Sequence, residues 1–152
     1  MKNRTTFFLE LWQEARTRFS NQVKNLSSED LKKKLQPSQN TAGFLLRHIG
    51  DVELLFAKNV FGANETKVIA KTVIAQHDSG EWTNLQELLD YINESYKVLQ
   101  DVIQSQTDEQ WEEVITTKEF GTKTKAEALG RIVSHTAYHA GQLALTLKYG
   151  ST

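Results

Sequence analysis

Residues 41–61 read TAGFLLRHIGDVELLFAKNVF, and the spacing of the apolar side chains predicts a helix. At about 100° per residue, Phe44, Leu45, Val52, Leu55 and Phe56 share an arc of about 120°, and His48 falls inside it. Gly62 then closes the segment, as glycine does at helix C-termini.

Three further segments carry the same periodicity. The first runs from about 5 to 24, with Phe8, Leu11, Trp12, Ala15, Phe19 and Val23 three and four apart. Another starts at Thr83, a cap candidate with Gln86 three positions on, and continues to about 106. Its stripe is Leu85, Leu88, Leu89, Ile92, Tyr96, Leu99 and Ile103. The last runs from about 125 to 149 and is ended by Gly150. A cap cluster at Ser27, Ser28 and Asp30 predicts a short helical turn that ends near Pro37. The reading is an all-α protein, a four-helix bundle in one domain spanning 1–152.

Two connections add to it. The stretch 114–123, VITTKEFGTK, has β-branched residues on either side of a glycine and predicts a short hairpin. The stretch from Gly62 to Trp82 is far longer than a tight helix–helix turn needs. Such a crossover can run the length of the bundle and set the second and third long helices parallel.

Composition narrows the function. The 152 residues are 39% hydrophobic and 24% charged, which is globular, and the net charge of −1 leaves no basic footprint for nucleic acid or an anionic membrane surface. With no cysteine, disulfides, thiolate metal sites and Cys nucleophiles are excluded, and a cytoplasmic location is expected. No apolar run approaches the roughly 20 residues that span a bilayer. Lys2 and Arg4 are followed by a segment that Glu10 and Gln13 interrupt, which reads as a helix start and not a signal peptide.

Three of the four histidines lie on the long helices. His48 faces a core, where both ring nitrogens need a partner. His135 and His139, in SHTAYHAGQ at 134–142, are one turn apart on one helix face and can converge on a single ion. Their stripe borders the apolar arc of Leu129, Ile132, Thr136, Ala140, Leu143 and Leu147, with Arg131, Tyr138 and Gln142 on the polar side. Spacing alone leaves two readings open, hydrogen-bonded helix histidines or ligands of one metal ion.

Other residues have blander readings. His77, beside Asp78, Ser79 and Gly80, reads as a solvated loop residue. Asp51, one turn after His48, reads as an exposed helix carboxylate, with an acceptor behind a ligand, or a ligand, as the alternatives. Trp12, Trp82 and Trp111 read as core or capping residues, and Lys32 to Lys34 as a solvated face. The chain has no phosphate loop and no His-Glu-x-x-His pattern, which disfavours a nucleotide-binding protein and a protease of that type.

The order of these motifs resembles the DinB-like superfamily, which includes bacterial damage-inducible proteins and YfiT-like metal-dependent hydrolases. The matching residues are Arg47-His48-Ile49-Gly50-Asp51-Val52-Glu53 and Ser134-His135-Thr136-Ala137-Tyr138-His139-Ala140-Gly141-Gln142. The resemblance implies an up-down-down-up bundle, often a homodimer. It also implies one divalent ion, zinc or nickel, held by His48, His135 and His139. Some members transfer thiols of the bacillithiol or glutathione kind to electrophiles.

Three histidine ligands leave coordination positions open, as catalytic sites do. The favoured expectation is a metal-dependent thiol transferase acting on a small molecule, with Arg131, Tyr138 and Gln142 as candidates for substrate contact. A metal-dependent hydrolase and a non-enzymatic, metal- or small-molecule-binding stress protein are the alternatives.

Overall fold

The computed structural model describes residues 2–152. Four long helices, α1 (Arg4–Val23), α2 (Ala42–Asn59), α4 (Leu85–Gln104) and α5 (Lys125–Tyr149), form the bundle; α3 (Lys71–Ala75) is a short helix inside the crossover. Among the described residues, no helix is long and apolar enough to cross a membrane.

Each long helix begins at a polar cap that satisfies a free backbone N–H. The side chains of Asn3, Thr41, Asn84 and Thr124 accept from Thr6, Phe44, Glu87 and Glu127 respectively. At Thr124 the Glu127 side chain returns the bond, closing a capping box. The cap of α4 lies one residue later than expected, at Asn84 and not Thr83. That shift places the Glu87 carboxylate in the first turn, where the helix dipole favours it, and lets the Asn84 side-chain amide donate to it at 2.9 Å. Gly62, at φ +90°, occupies the left-handed region beyond the end of α2.

Long-range contacts give the helix directions. Thr5 Oγ1, near the start of α1, donates to the carbonyl of Gln106 just past the end of α4, and Arg16 meets Ile92 further along, so these helices are antiparallel. Asp51 meets Tyr91, Glu53 meets Ser95, and Gln106 reaches the carbonyl of Phe61, so α2 and α4 are parallel. His48 faces His135 while Phe56 packs on Phe120 just before α5, so α2 and α5 are antiparallel. The bundle is up-down-down-up, with the 62–82 crossover running its length.

The expected hairpin is present: β1 (Val114–Thr117) pairs antiparallel with β2 (Gly121–Thr124), Val114 opposite Thr124. Its turn uses Gly121 at φ +73°.

Apolar packing falls into two clusters along the bundle. One holds Trp12, Val52, Phe56, Leu99, Ile103, Trp111, Leu129 and Ile132, the other Phe19, Phe44, Leu46, Ile49, Leu88, Ile92, Ala140 and Leu143. Trp82 belongs to the second cluster as well, so all three tryptophans are core residues. Between the clusters each helix contributes a buried polar residue: Arg16, Glu53, Ser95 and Thr136. Arg16 Nε donates to Glu53 Oε1 at 2.6 Å and Nη2 to Oε2 at 3.2 Å, a two-pronged pair. Ser95 Oγ donates to the same carboxylate at 2.6 Å.

Candidate metal centre

The histidines meet where α2 and α5 cross. In α5, Ile132, Thr136, Ala140 and Leu143 are buried. His135 and His139 sit one residue away from that face, half-buried, at the edge of the core. His48 reaches them from α2, its ring stacked on Phe44 with centroids 5.8 Å apart. The ring centroids are 5.1 Å (His48–His135), 4.7 Å (His48–His139) and 4.4 Å (His135–His139) apart. One nitrogen from each ring lies within 4.8 Å of the others.

Hydrogen bonds on the far sides of two rings set their orientation. His139 Nδ1 lies 2.7 Å from Gln142 Oε1, an acceptor, so the ring donates from Nδ1 and its Nε2 keeps a lone pair. His48 Nδ1 lies 3.0 Å from Thr72 Oγ1, and His48 Nε2 is 3.2 Å from His135 Nε2. His135 Nδ1 is buried with no hydrogen-bond partner among the described residues.

Charge is kept off these rings. Burial, together with the neighbouring His139, pushes His48 down to about 4 against a weaker pull from Asp51. Burial pushes His135 down to about 3, with His139, His48 and Arg131 adding to it. His139 is also lowered by burial, opposed by its bond to Gln142. At neutral pH all three imidazoles are uncharged and able to give a lone pair.

The donor set fits a divalent ion. Neutral imidazole suits zinc and nickel alike. Two nitrogens of one tetrahedral zinc, at bond lengths of about 2.0–2.1 Å, lie about 3.3 Å apart. The 3.2 Å between His48 Nε2 and His135 Nε2 is close to that value.

Protonation makes a prediction for the metal-free protein. The unfolded chain takes up protons on its histidines near pH 6.5, while folded His48 resists them until about pH 4. The unfolded state therefore binds more protons in this window, and stability falls as pH drops from about 6.5 to 4. Chelator-treated protein followed by thermal melting at steps from pH 7.5 to 4.5 should show this fall. The profile should be flatter in a His48→Gln, His135→Gln variant, and identical profiles would contradict the assigned burial of the rings.

Behind His48, one turn on in α2, lies Asp51. Asp51 is fully buried, which corrects the expectation of an exposed carboxylate: α2 is covered on most of its circumference, with 13 of its 18 residues buried. Its Oδ1 accepts from Arg47 Nε at 2.7 Å and Tyr91 Oη at 2.6 Å. Its Oδ2 accepts from the N–H and hydroxyl of Thr72 at 3.0 and 2.7 Å. Tyr91 can come this close because Gly50 has no side chain; a Cβ there would lie 2.8 Å from the ring. Burial and then Asp51 raise the Tyr91 hydroxyl well above its usual range, so it stays a donor. Asp51 therefore stands behind His48, with Thr72 between them. Thr72 lies on α3, inside a stretch without helical periodicity, so no sequence signal marked it.

The remaining candidates separate. Arg131, Ser134 and Tyr138 line an open cleft of ≈ 340 Å³ beside His135 and His139. Arg131 is loosely paired with Glu119 at 3.9 Å, and Tyr138 is 66% exposed. Gln142 instead spends its carbonyl oxygen on His139. His77 is exposed and donates to the Ala75 carbonyl at 2.7 Å, as a loop histidine should.

No curated protein matches the chain. The family model of the DinB superfamily matches residues 11–143, which takes in α2 and α4 whole, most of α1 and α5, and all three clustered histidines. The chain belongs to the DinB superfamily.

Proposed function

We propose that this protein is a metal-dependent enzyme in which His48, His135 and His139 hold one zinc or nickel ion, and that it transfers a small external thiol to an electrophile. The observation that carries the metal assignment is the convergence of three neutral imidazoles, two of them with Nδ1 held from behind. Closed structural sites use four protein ligands, whereas three leave room for a reactant. An ion in such a site stabilises a bound thiol as thiolate or lowers the pKa of bound water, which are the starting points of thiol transfer and hydrolysis.

The lining of the cleft favours the first. Arg131, Ser134, His135, Tyr138 and His139 line it, and no carboxylate is among them. The buried carboxylate nearest His48, Asp51, already accepts four hydrogen bonds on its inner side. A hydrolytic route wants a general base within reach of the attacking water. Thiol transfer needs less from the protein: a cationic rim to attract an anionic thiol and a wall for the electrophile. Arg131, held only loosely by Glu119 at 3.9 Å, supplies the first and Tyr138 the second.

Elemental analysis of tag-free protein tests the site. About one equivalent of zinc or nickel is expected in the wild type, and its loss in both His48→Ala and His139→Ala. Metal-loaded protein should then turn over a chromogenic electrophile only when bacillithiol, glutathione or cysteine is present. Turnover without thiol would point to hydrolysis, and no turnover with any pair to a binding protein. Wild type that stays metal-free after incubation with zinc would refute the assignment.

A further inference from the structure

Thr72 belongs to the crossover and not to the bundle helices, yet it is only 2% exposed. Its hydroxyl lies between a carboxylate and a histidine, 2.7 Å from Asp51 Oδ2 and 3.0 Å from His48 Nδ1. A threonine hydroxyl has one proton to give. The Asp51 carboxylate, ion-paired with Arg47 at 2.7 Å, can only accept, so the proton of Thr72 goes there. The oxygen of Thr72 is then left to accept from His48.

That order of donors has one consequence for the histidine. His48 must carry its proton on Nδ1, which leaves the lone pair on Nε2, the atom facing His135. The backbone N–H of Thr72 donates to the same carboxylate oxygen at 3.0 Å, so the residue is anchored at two points. We infer that Thr72 is a positioning residue: through it the crossover sets the tautomer and the ring angle of His48, and so tunes how tightly the three-histidine site holds its ion. This rests on the metal reading above. Asp51 fixes Thr72, Thr72 fixes His48, and only His48 touches the ion.

The test compares Thr72→Val, nearly the same shape without the hydroxyl, with Thr72→Ser, which keeps it. Thr72→Ala serves as a second hydroxyl-free probe should valine disturb the fold. Zinc affinity is read by competition with a chromogenic chelator. The His48 tautomer is read in the metal-free proteins by nitrogen-15 NMR of the imidazoles. Loss of a partner behind a metal-bound histidine typically weakens binding 10–100-fold. Such a loss is expected for valine and alanine, with serine restoring most of it. The His48 proton should stay on Nδ1 in wild type and Thr72→Ser and move towards Nε2 in the other two.

Unchanged zinc affinity or an unchanged tautomer in both hydroxyl-free variants would overturn the inference. A wild type that binds no zinc would instead overturn the metal reading, and the tautomer spectra would still judge Thr72.

Discussion

Glu53→Ala is expected to destabilise the protein by about 3–5 kcal/mol, the usual cost of stranding one member of a buried ion pair. For a chain of this length that is a fall in Tm of roughly 6–20 °C. Glu53 is fully buried and Arg16 is 4% exposed. Without the carboxylate, the guanidinium keeps, among the described residues, only Ser20, the Ile92 carbonyl and the faces of Phe19 and Tyr96 around it. None of these is a counter-charge, and the guanidinium stays almost wholly buried.

The lost pair is not the same as the worth of the pair. Replacing both partners with apolar residues of similar volume is often neutral or stabilising. A double variant, Arg16→Met with Glu53→Leu, is therefore expected to recover most of the loss. Thermal melting of the wild type, Glu53→Ala and the double variant checks both statements. A Glu53→Ala protein that melts with the wild type would mean that Arg16 escapes to solvent, contrary to its placement between the two apolar clusters.

This polar layer shows where sequence reading stops. Phe44, Leu45, Val52 and Phe56 were legible as a stripe, and the hairpin and the four helices followed from spacing and turn chemistry, whereas the cap of α4 fell on Asn84 and not on Thr83. Glu53 was not legible as a core residue, because α2 is buried nearly all round and a stripe argument assumes one solvated side. Arg16 and Ser95 are likewise ordinary polar residues in a helix until α2 supplies their partner. Asp51 was misread for the same reason.

The histidines were legible differently. Two at a spacing of four share a face by geometry alone, and a third inside an apolar arc has to be satisfied somehow. That His48 and His135 face each other depends on α2 and α5 being antiparallel neighbours. That in turn depends on the length of the crossover. Thr72 needed the packed structure, since its role comes from meeting Asp51 across a gap of 21 residues in the chain.

His139→Ala is expected to change stability in a way that depends on metal. Zinc at a hundred times its dissociation constant stabilises a folded protein by about 2.7 kcal/mol. Here that is a rise of roughly 5–11 °C in Tm. The rise should appear in the wild type and vanish in His139→Ala, along with thiol-dependent turnover, because two remaining imidazoles no longer enclose the ion. Without metal the sign is different. The wild type packs His139 edge to face against both His48 and His135, keeps lone pairs out of water and leaves His135 Nδ1 without a partner among the described residues. Removing one ring relieves part of that cost, so the metal-free variant should melt level with the metal-free wild type or above it.

A histidine kept only for packing behaves otherwise. Its removal opens a cavity and lowers Tm with or without zinc. Differential scanning of both proteins, each with chelator and with zinc, separates the two cases in four traces. A zinc-dependent rise that survives in His139→Ala would remove this residue from the ligand set. A fall of equal size in both states would make it a core residue. The expected result, a rise confined to the wild type with no fall in the metal-free variant, is what a site built for an ion and not for stability should give.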